Sequence, residues 1–162
     1  AEIELIGVDD KEYILKGITD KLRRKYDYII LDCPPSLNML TINALTAATS
    51  VLVPIQCEYY ALEGLSQLIH TIDLVKDRLN KKLAMEGVVF TMYDARTNLS
   101  LQVVENVKDN LQQNIYKTII PRNVRLAEAP SYGQPINIYD SRSAGAEAYR
   151  LLAEEVINRE DK

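Results

Sequence analysis

Residues 28–36 read Tyr28-Ile29-Ile30-Leu31-Asp32-Cys33-Pro34-Pro35-Ser36. An apolar run is followed by one carboxylate, a cysteine and two prolines. Proline has no amide hydrogen to donate to a sheet, so the run predicts a strand over residues 28–32 that ends at Asp32. In α/β proteins ligands bind beyond the carboxyl ends of the strands, and a strand-end Asp often holds Mg²⁺ beside a nucleotide phosphate. An Asp that merely caps the next helix is an equally good interpretation of the spacing.

Length and composition limit the class of protein. The 162 residues suit one domain spanning residues 1–162, and 47% hydrophobic with 26% charged residues is typical of a soluble globular protein. No apolar run approaches the roughly 20 residues that cross a bilayer, so we expect a cytoplasmic protein without membrane attachment. The net charge of −4 gives no general attraction to nucleic acid. Any DNA binding therefore requires a local basic patch.

Helices and strands are predicted to alternate along the chain. Helical spacing predicts helices over residues 10–25, 61–79, 99–113 and 143–158, the last one after a loop rich in proline and glycine. A short helix that ends at Ala48 can be opened by Asn38 or by Ser36. Apolar runs predict strands over residues 28–32, 51–55, 87–92 and 116–120. Such strands predict an α/β fold, a mostly parallel sheet with helices on both faces. Right-handed crossovers bring the carboxyl ends of all strands to one edge, so we expect the loops after them to form one site.

A phosphate-binding loop is missing from the sequence. No G-x-x-x-x-G-K-[ST] motif occurs, and the six glycines are scattered singly. A tight triphosphate site is hard to build without a nest of backbone amides and a lysine. We therefore expect this chain alone to bind nucleotide weakly or not at all, and to be inactive as an ATPase.

Five segments closely resemble the ParA family of chromosome and plasmid partition ATPases, in particular its Soj branch. They are YDYIILDCPPSL (26–37), TINAL (41–45), QCEYYALEGL (56–65), TMYDARTNL (91–99) and IPRNVRLAEAPSYG (120–133). Family members normally begin with a deviant P-loop, K-G-G-x-G-K-[ST], and carry a second catalytic Asp in an early switch loop. Both are absent here. The resemblance implies a P-loop NTPase-like fold of the ParA/MinD type, of which this chain is the C-terminal part without its phosphate-binding end.

The resemblance also implies a nucleotide site for ATP and Mg²⁺. Asp32 matches the catalytic Walker B carboxylate that orders the metal ion, and Pro34-Pro35-Ser36 matches the switch that follows it. Met92, Pro121 and Asn123 match positions expected to hold the adenine ring, with apolar surfaces on its faces and an amide at its edge. Met92 as core filler and Pro121 as a strand terminator remain equally good interpretations.

Arg96 and Arg125 match positions that the resemblance assigns to non-specific DNA binding. A guanidinium group can hold phosphate oxygens with two parallel hydrogen bonds, although lone surface arginines are usually only solvated. The negative charges of Asp94 and Glu128 reduce the net positive charge around these two arginines. Other basic residues that extend the same patch are Lys117, Arg122 and Arg142.

Taken whole, the resemblance implies an ATP-switched partition ATPase. Such a protein binds DNA as an ATP-linked homodimer, is nucleoid-associated, and acts in chromosome or plasmid segregation with a ParB/Spo0J-like partner. One alternative is a membrane-positioned ATPase of the MinD type, but residues 156–162 are mixed in charge and short of the apolar anchors that such a protein needs. A second alternative is a non-catalytic binding or regulatory module, which the absent P-loop favours for this chain.

Overall fold

The computed structural model describes residues 7–34, 36, 38–111 and 114–160. Two short 3₁₀ helices cover Lys11–Tyr13 and Ala129–Tyr132. The strands are β1 (Ser50–Gln56), β2 (Ala84–Tyr93) and β3 (Ile115–Pro121). The α-helices are α1 (Ile14–Leu22), α2 (Met39–Ala47), α3 (Ala61–Arg78), α4 (Asn98–Asn110), α5 (Val124–Glu128), α6 (Ile136–Tyr139) and α7 (Ala144–Glu160). None of the helices in these ranges combines the length and the apolar character needed to cross a membrane.

The three strands form a parallel sheet in the order β1-β2-β3. Helix α3 connects β1 to β2, and α4 connects β2 to β3. This alternation confirms the predicted α/β fold. The pairing of β2 with β3 joins Val88 to Ile115, with register shifts before the last pair, Tyr93 and Pro121.

The chain divides into two compact units, and the first comprises Ala1–Val51 and Gly64–Met85. Its core is a cluster of four buried side chains, Leu45, Ile72, Val75 and Leu83. The Asn80 carboxamide donates hydrogen bonds to the carbonyls of Leu45 (3.0 Å) and Ala48 (2.8 Å). These bonds satisfy carbonyl groups at the end of α2 that have no partner within the helix.

The second unit comprises Leu52–Glu63 and Glu86–Lys162. Its core contains Val89, Tyr116, Ile120 and Ala148, so α7 packs against β2 and β3. Our expectation of one domain over residues 1–162 stays a prediction.

The strand predicted over residues 28–32 is wrong for this chain. Residues 28–34 have irregular backbone and take no part in the sheet that the described residues form. Ile30 is 89% exposed. A strand is held by hydrogen bonds to a neighbouring strand, and an apolar run without that ladder does not form one, however well its side chains suit a sheet. Asp32 therefore lies on irregular backbone.

Candidate functional site

The loops that follow the three strands contact one another in the second unit. The backbone N–H of Cys57, after β1, donates to the carbonyl of Thr91 (3.0 Å), and the N–H of Arg122, after β3, donates to the carbonyl of Tyr93 (2.8 Å). The Glu58 carboxylate accepts a hydrogen bond from the Arg122 guanidinium at 3.1 Å. For these three loops, the predicted convergence at one edge of the sheet is confirmed.

Met92 lies in a bulge at the end of β2. Phe90 pairs with Ile119 and Tyr93 pairs with Pro121, so three residue steps along β2 run against two along β3. Met92 has a φ of 53°, in the left-handed region that a non-glycine residue seldom occupies. Such backbone costs about 1–2 kcal/mol, and bulges next to functional sites re-aim a side chain. Strained non-glycine residues cluster at ligand sites, so this conformation is consistent with the predicted role of Met92, which stays a prediction.

Pro121 and Asn123 lie beside Met92 at the neighbouring strand end. Pro121 closes β3, and Asn123 is the N-cap of α5. The Oδ1 atom of Asn123 accepts hydrogen bonds from the N–H groups of Arg125 (2.9 Å) and Leu126 (3.3 Å). Both bonds use the side-chain oxygen, so the NH₂ group of the carboxamide keeps its capacity to donate to a ligand. The structure thus brings the three residues predicted to hold adenine to adjacent strand ends.

Arg96 is fixed by the carboxylate of Asp94. Its Nε donates to Oδ1 (2.9 Å) and its Nη2 donates to Oδ2 (2.7 Å), while its backbone N–H also reaches Oδ1 (3.0 Å). The Arg96 side chain is 86% exposed and that of Asp94 only 17%. The hydrogen bonds from Arg96 hold the pKa of Asp94 well below its usual value. The Arg96 guanidinium is therefore exposed to solvent while the charged Asp94 carboxylate holds it in place.

Arg125 has two acidic neighbours. Its Nη1 donates to Oε2 of Glu128 (2.8 Å), and its Nε lies 3.5 Å from Oδ2 of Asp140. The Tyr139 hydroxyl donates to the same Glu128 oxygen (3.1 Å). The hydrogen bonds from Arg125 and then from Tyr139 lower the pKa of Glu128. About half of the Arg125 side chain remains exposed.

The carboxylate partners of the arginines were only partly visible in the sequence. Asp94 and Glu128 lie two and three residues from their arginines, and the sequence shows them as diluting charges. The pairing of Glu58 with Arg122 joins residues 64 positions apart, so no local spacing reveals it. Asp140, the second neighbour of Arg125, was missed for the same reason.

Asp32 belongs to the first unit, where its side chain is exposed. It lines a cavity of about 540 Å³ whose other walls are largely apolar, with Ile14, Ile18 and Ile30 among them. The proposed switch Pro34-Pro35-Ser36 is described only in part, because Pro35 lies outside the described residues. Where Asp32 lies relative to Arg96 and Arg125 stays a prediction.

Asp32 is a single exposed carboxylate in largely apolar surroundings. Within residues 7–34, 36, 38–111 and 114–160, no group of three or more His, Cys, Asp and Glu residues could hold a metal ion. Mg²⁺ usually keeps several waters and binds through one or two carboxylates together with substrate phosphates. One exposed carboxylate therefore fits a Mg²⁺ ion that arrives with a nucleotide, and does not fit an ion held by protein alone.

Comparison with known proteins defines the family. A family model described as an AAA domain matches residues 1–85. The sporulation initiation inhibitor protein Soj of Bacillus subtilis is 60% identical over 156 residues, which are 96% of this chain and 62% of that protein. The chromosome partitioning protein ParA of Myxococcus xanthus is 55% identical over 160 residues, 99% of this chain and 56% of that protein. This chain thus spans less than two thirds of the length of these relatives.

Solved structures share the fold. A cobyrinic acid a,c-diamide synthase from Mycobacterium smegmatis, with bound ADP and magnesium, aligns with a TM-score of 0.83 and 35% identity over 99% of this chain and 58% of that one. The septum site-determining protein MinD of Pyrococcus horikoshii, complexed with Mg-ADP, aligns with a TM-score of 0.75 over 90% of this chain and 56% of that one. At 24% identity the MinD likeness shows the fold alone. Fold and family model place the chain in the AAA-domain class. Within that class, it belongs to the ParA/Soj family.

Proposed function

We propose that the protein carrying this chain is an ATP-hydrolysing partition switch. It binds DNA non-specifically as an ATP-linked dimer, and it segregates a chromosome or plasmid with a ParB/Spo0J-like partner. The observation that carries the proposal is that one pair of neighbouring strand ends holds both kinds of candidate residue. Met92 and Asn123 lie there, with Arg96 on the loop after β2 and Arg125 on α5.

The nucleotide part of the proposal assigns adenine recognition to the ends of β2 and β3. Met92 lies in the bulge with its side chain partly exposed, and Pro121 offers a second apolar surface. The NH₂ group of Asn123 would donate to a ring nitrogen while its oxygen keeps the cap of α5. ATP with Mg²⁺, when bound, supplies the phosphoryl group that is transferred to water. The Asp32 carboxylate would help to hold the ion.

The DNA part assigns phosphate contacts to Arg96 and Arg125. Each contact neutralises one phosphate, so affinity and its salt dependence grow with the number of contacts. A subunit with two such residues and a net charge of −4 over this chain binds weakly. A dimer doubles the contacts, which makes ATP-linked dimerisation an effective control of DNA binding. We propose that the protein acts in the cytoplasm, on the nucleoid.

The hydrolysis proposal is tested by measuring phosphate release from ATP with Mg²⁺. We expect turnover by the full-length protein, none by residues 1–162 alone because they contain no phosphate-binding loop, and little by full-length Asp32→Asn. The matched control is Asp73→Asn, which changes an exposed carboxylate on α3 and should keep full turnover. Robust turnover by residues 1–162, or by Asp32→Asn, would overturn the assigned role of Asp32 and of the missing loop.

A further inference from the structure

We infer that the charge of Asp94, the residue that anchors Arg96, holds the DNA affinity of each subunit down. The inference rests on the proposed DNA binding. It adds a specific device, a carboxylate that orients one guanidinium group and at the same time opposes the approach of phosphate. Glu128 has the same relationship to Arg125.

The geometry of the Arg96–Asp94 pair leaves the phosphate-binding edge of the guanidinium open. Nε and Nη2 donate side-on to the two carboxylate oxygens, at 2.9 and 2.7 Å. One hydrogen of Nη1 and the second hydrogen of Nη2 point along the end of the planar group, and the other Nη1 hydrogen points back beside Cδ. That end is a complete fork for a phosphate, so Arg96 can bind DNA without releasing Asp94.

The exposures of the two side chains indicate which partner meets DNA. Arg96 is 86% exposed and Asp94 17%, so the guanidinium is the group that is more accessible to DNA. The charge of Asp94 still opposes a phosphate bound to Arg96. At about 6–8 Å in water-like surroundings, a like-charge interaction weakens binding about three-fold per site. Two sites in a dimer give about ten-fold.

Two further arginines near the strand ends also pair with carboxylates. Arg122 pairs with Glu58 at 3.1 Å, and Arg125 pairs with Glu128 at 2.8 Å. Arg96, Arg122 and Arg125 thus each have a carboxylate partner. Local neutrality of this kind keeps a single subunit from binding DNA tightly, so the binding of a dimer depends on both copies.

The test is the affinity of the full-length protein, with ATP and Mg²⁺, for a random-sequence duplex at several salt concentrations. We expect Asp94→Asn to bind about ten-fold tighter than wild type, because asparagine keeps an oxygen for the Arg96 backbone N–H but removes the charge. In an Arg96→Ala background the same change should gain far less. The control Asp109→Asn makes the same charge change on the exposed last turn of α4 and should leave affinity within about two-fold.

The outcomes separate the two ideas. If Arg96→Ala binds DNA as well as wild type, the proposed role of Arg96 fails. If Arg96→Ala weakens binding but Asp94→Asn gains no more than Asp109→Asn, the role of Asp94 fails and the DNA contact stands. If Asp94→Asn has a lower melting temperature than wild type, the test uses Glu128→Gln instead. That variant must then bind DNA more tightly than wild type, through Arg125. An unchanged affinity for that variant overturns the inference.

Discussion

The side-chain oxygen of Asn123 accepts a hydrogen bond of 2.9 Å from the backbone N–H of Arg125. The residue predicted to read the edge of adenine therefore caps the helix that carries a residue predicted to grip DNA. The N-cap of α5 thus joins a residue of the proposed adenine site to a residue of the proposed DNA contact.

Substitutions of Asn123 separate its role as the N-cap of α5 from the donor role of its side-chain NH₂ group. Asp is as good an N-cap as Asn but has no NH₂ group, so Asn123→Asp should keep the melting temperature and lose about ten-fold in affinity for an ATP analogue. Asn123→Ala should lose both the nucleotide affinity and about 1 kcal/mol of stability. Thermal unfolding and nucleotide titration of the full-length variants measure the two effects. Equal nucleotide affinity for Asn123→Asp and wild type would remove Asn123 from the adenine site.

Met92 offers a test of backbone strain. Met92→Gly and Met92→Ala both delete the thioether and differ by one Cβ atom. In an ordinary strand the alanine variant is the more stable by about 0.5–1 kcal/mol. At a φ of 53° the order should reverse, with glycine more stable by about 1 kcal/mol, and both variants should bind nucleotide more weakly. Urea unfolding of the pair gives the sign directly, and an alanine variant at least as stable as glycine refutes the left-handed conformation.

Glu155 on α7 provides hydrogen-bond acceptors for backbone N–H groups in the irregular part of β3. Its carboxylate accepts hydrogen bonds from the N–H groups of Lys117 (2.8 Å) and Thr118 (2.9 Å), from the Thr118 hydroxyl (2.8 Å) and from Arg159 (2.9 Å). Burial raises the pKa of Glu155, but these hydrogen bonds together outweigh it, so the pKa lies below its ordinary value of 4.5. The carboxylate therefore stabilises the folded state above that value.

Glu155→Gln should lower the free energy of unfolding by about 1–3 kcal/mol at neutral pH, because the amide leaves a backbone donor without an acceptor. A depressed pKa gives stability that is present above pH 4.5 and lost as the pH falls through the folded-state pKa. The difference from wild type should therefore shrink in acid. Glu154→Gln, an exposed neighbour, should change stability by less than about 0.5 kcal/mol. If the difference in the free energy of unfolding between Glu155→Gln and wild type does not change with pH, the charge of the carboxylate is not its source.

Local sequence signals predicted most of the elements. The Asn38 cap, whose oxygen accepts from Leu40 and Thr41, was readable before α2, and the apolar runs of β1, β2 and β3 were recognised within a few residues. The segment after β3 was expected to be a loop. It forms α5, a 3₁₀ turn and α6, because Asn123 caps α5 and Pro130 suits the first turn of a helix.

Features that depend on contacts between residues far apart in the sequence could not be predicted from it. The apolar character of residues 28–32 is compatible with a strand, but strand formation depends on a ladder that no local pattern encodes. The Glu58–Arg122 pair and the left-handed Met92 likewise depend on how β1, β2 and β3 align. The candidate residues themselves were found from motif resemblance, and their hydrogen-bond partners came only from the structure.

The most direct measurement compares DNA binding by full-length wild type and Arg125→Glu on two duplexes of unrelated sequence, with ATP and with ADP. The account predicts tight binding only with ATP, and a loss of more than about ten-fold for Arg125→Glu that is equal on both duplexes, since phosphate contacts carry no sequence information. Unchanged binding by Arg125→Glu, or a loss confined to one duplex, would contradict it.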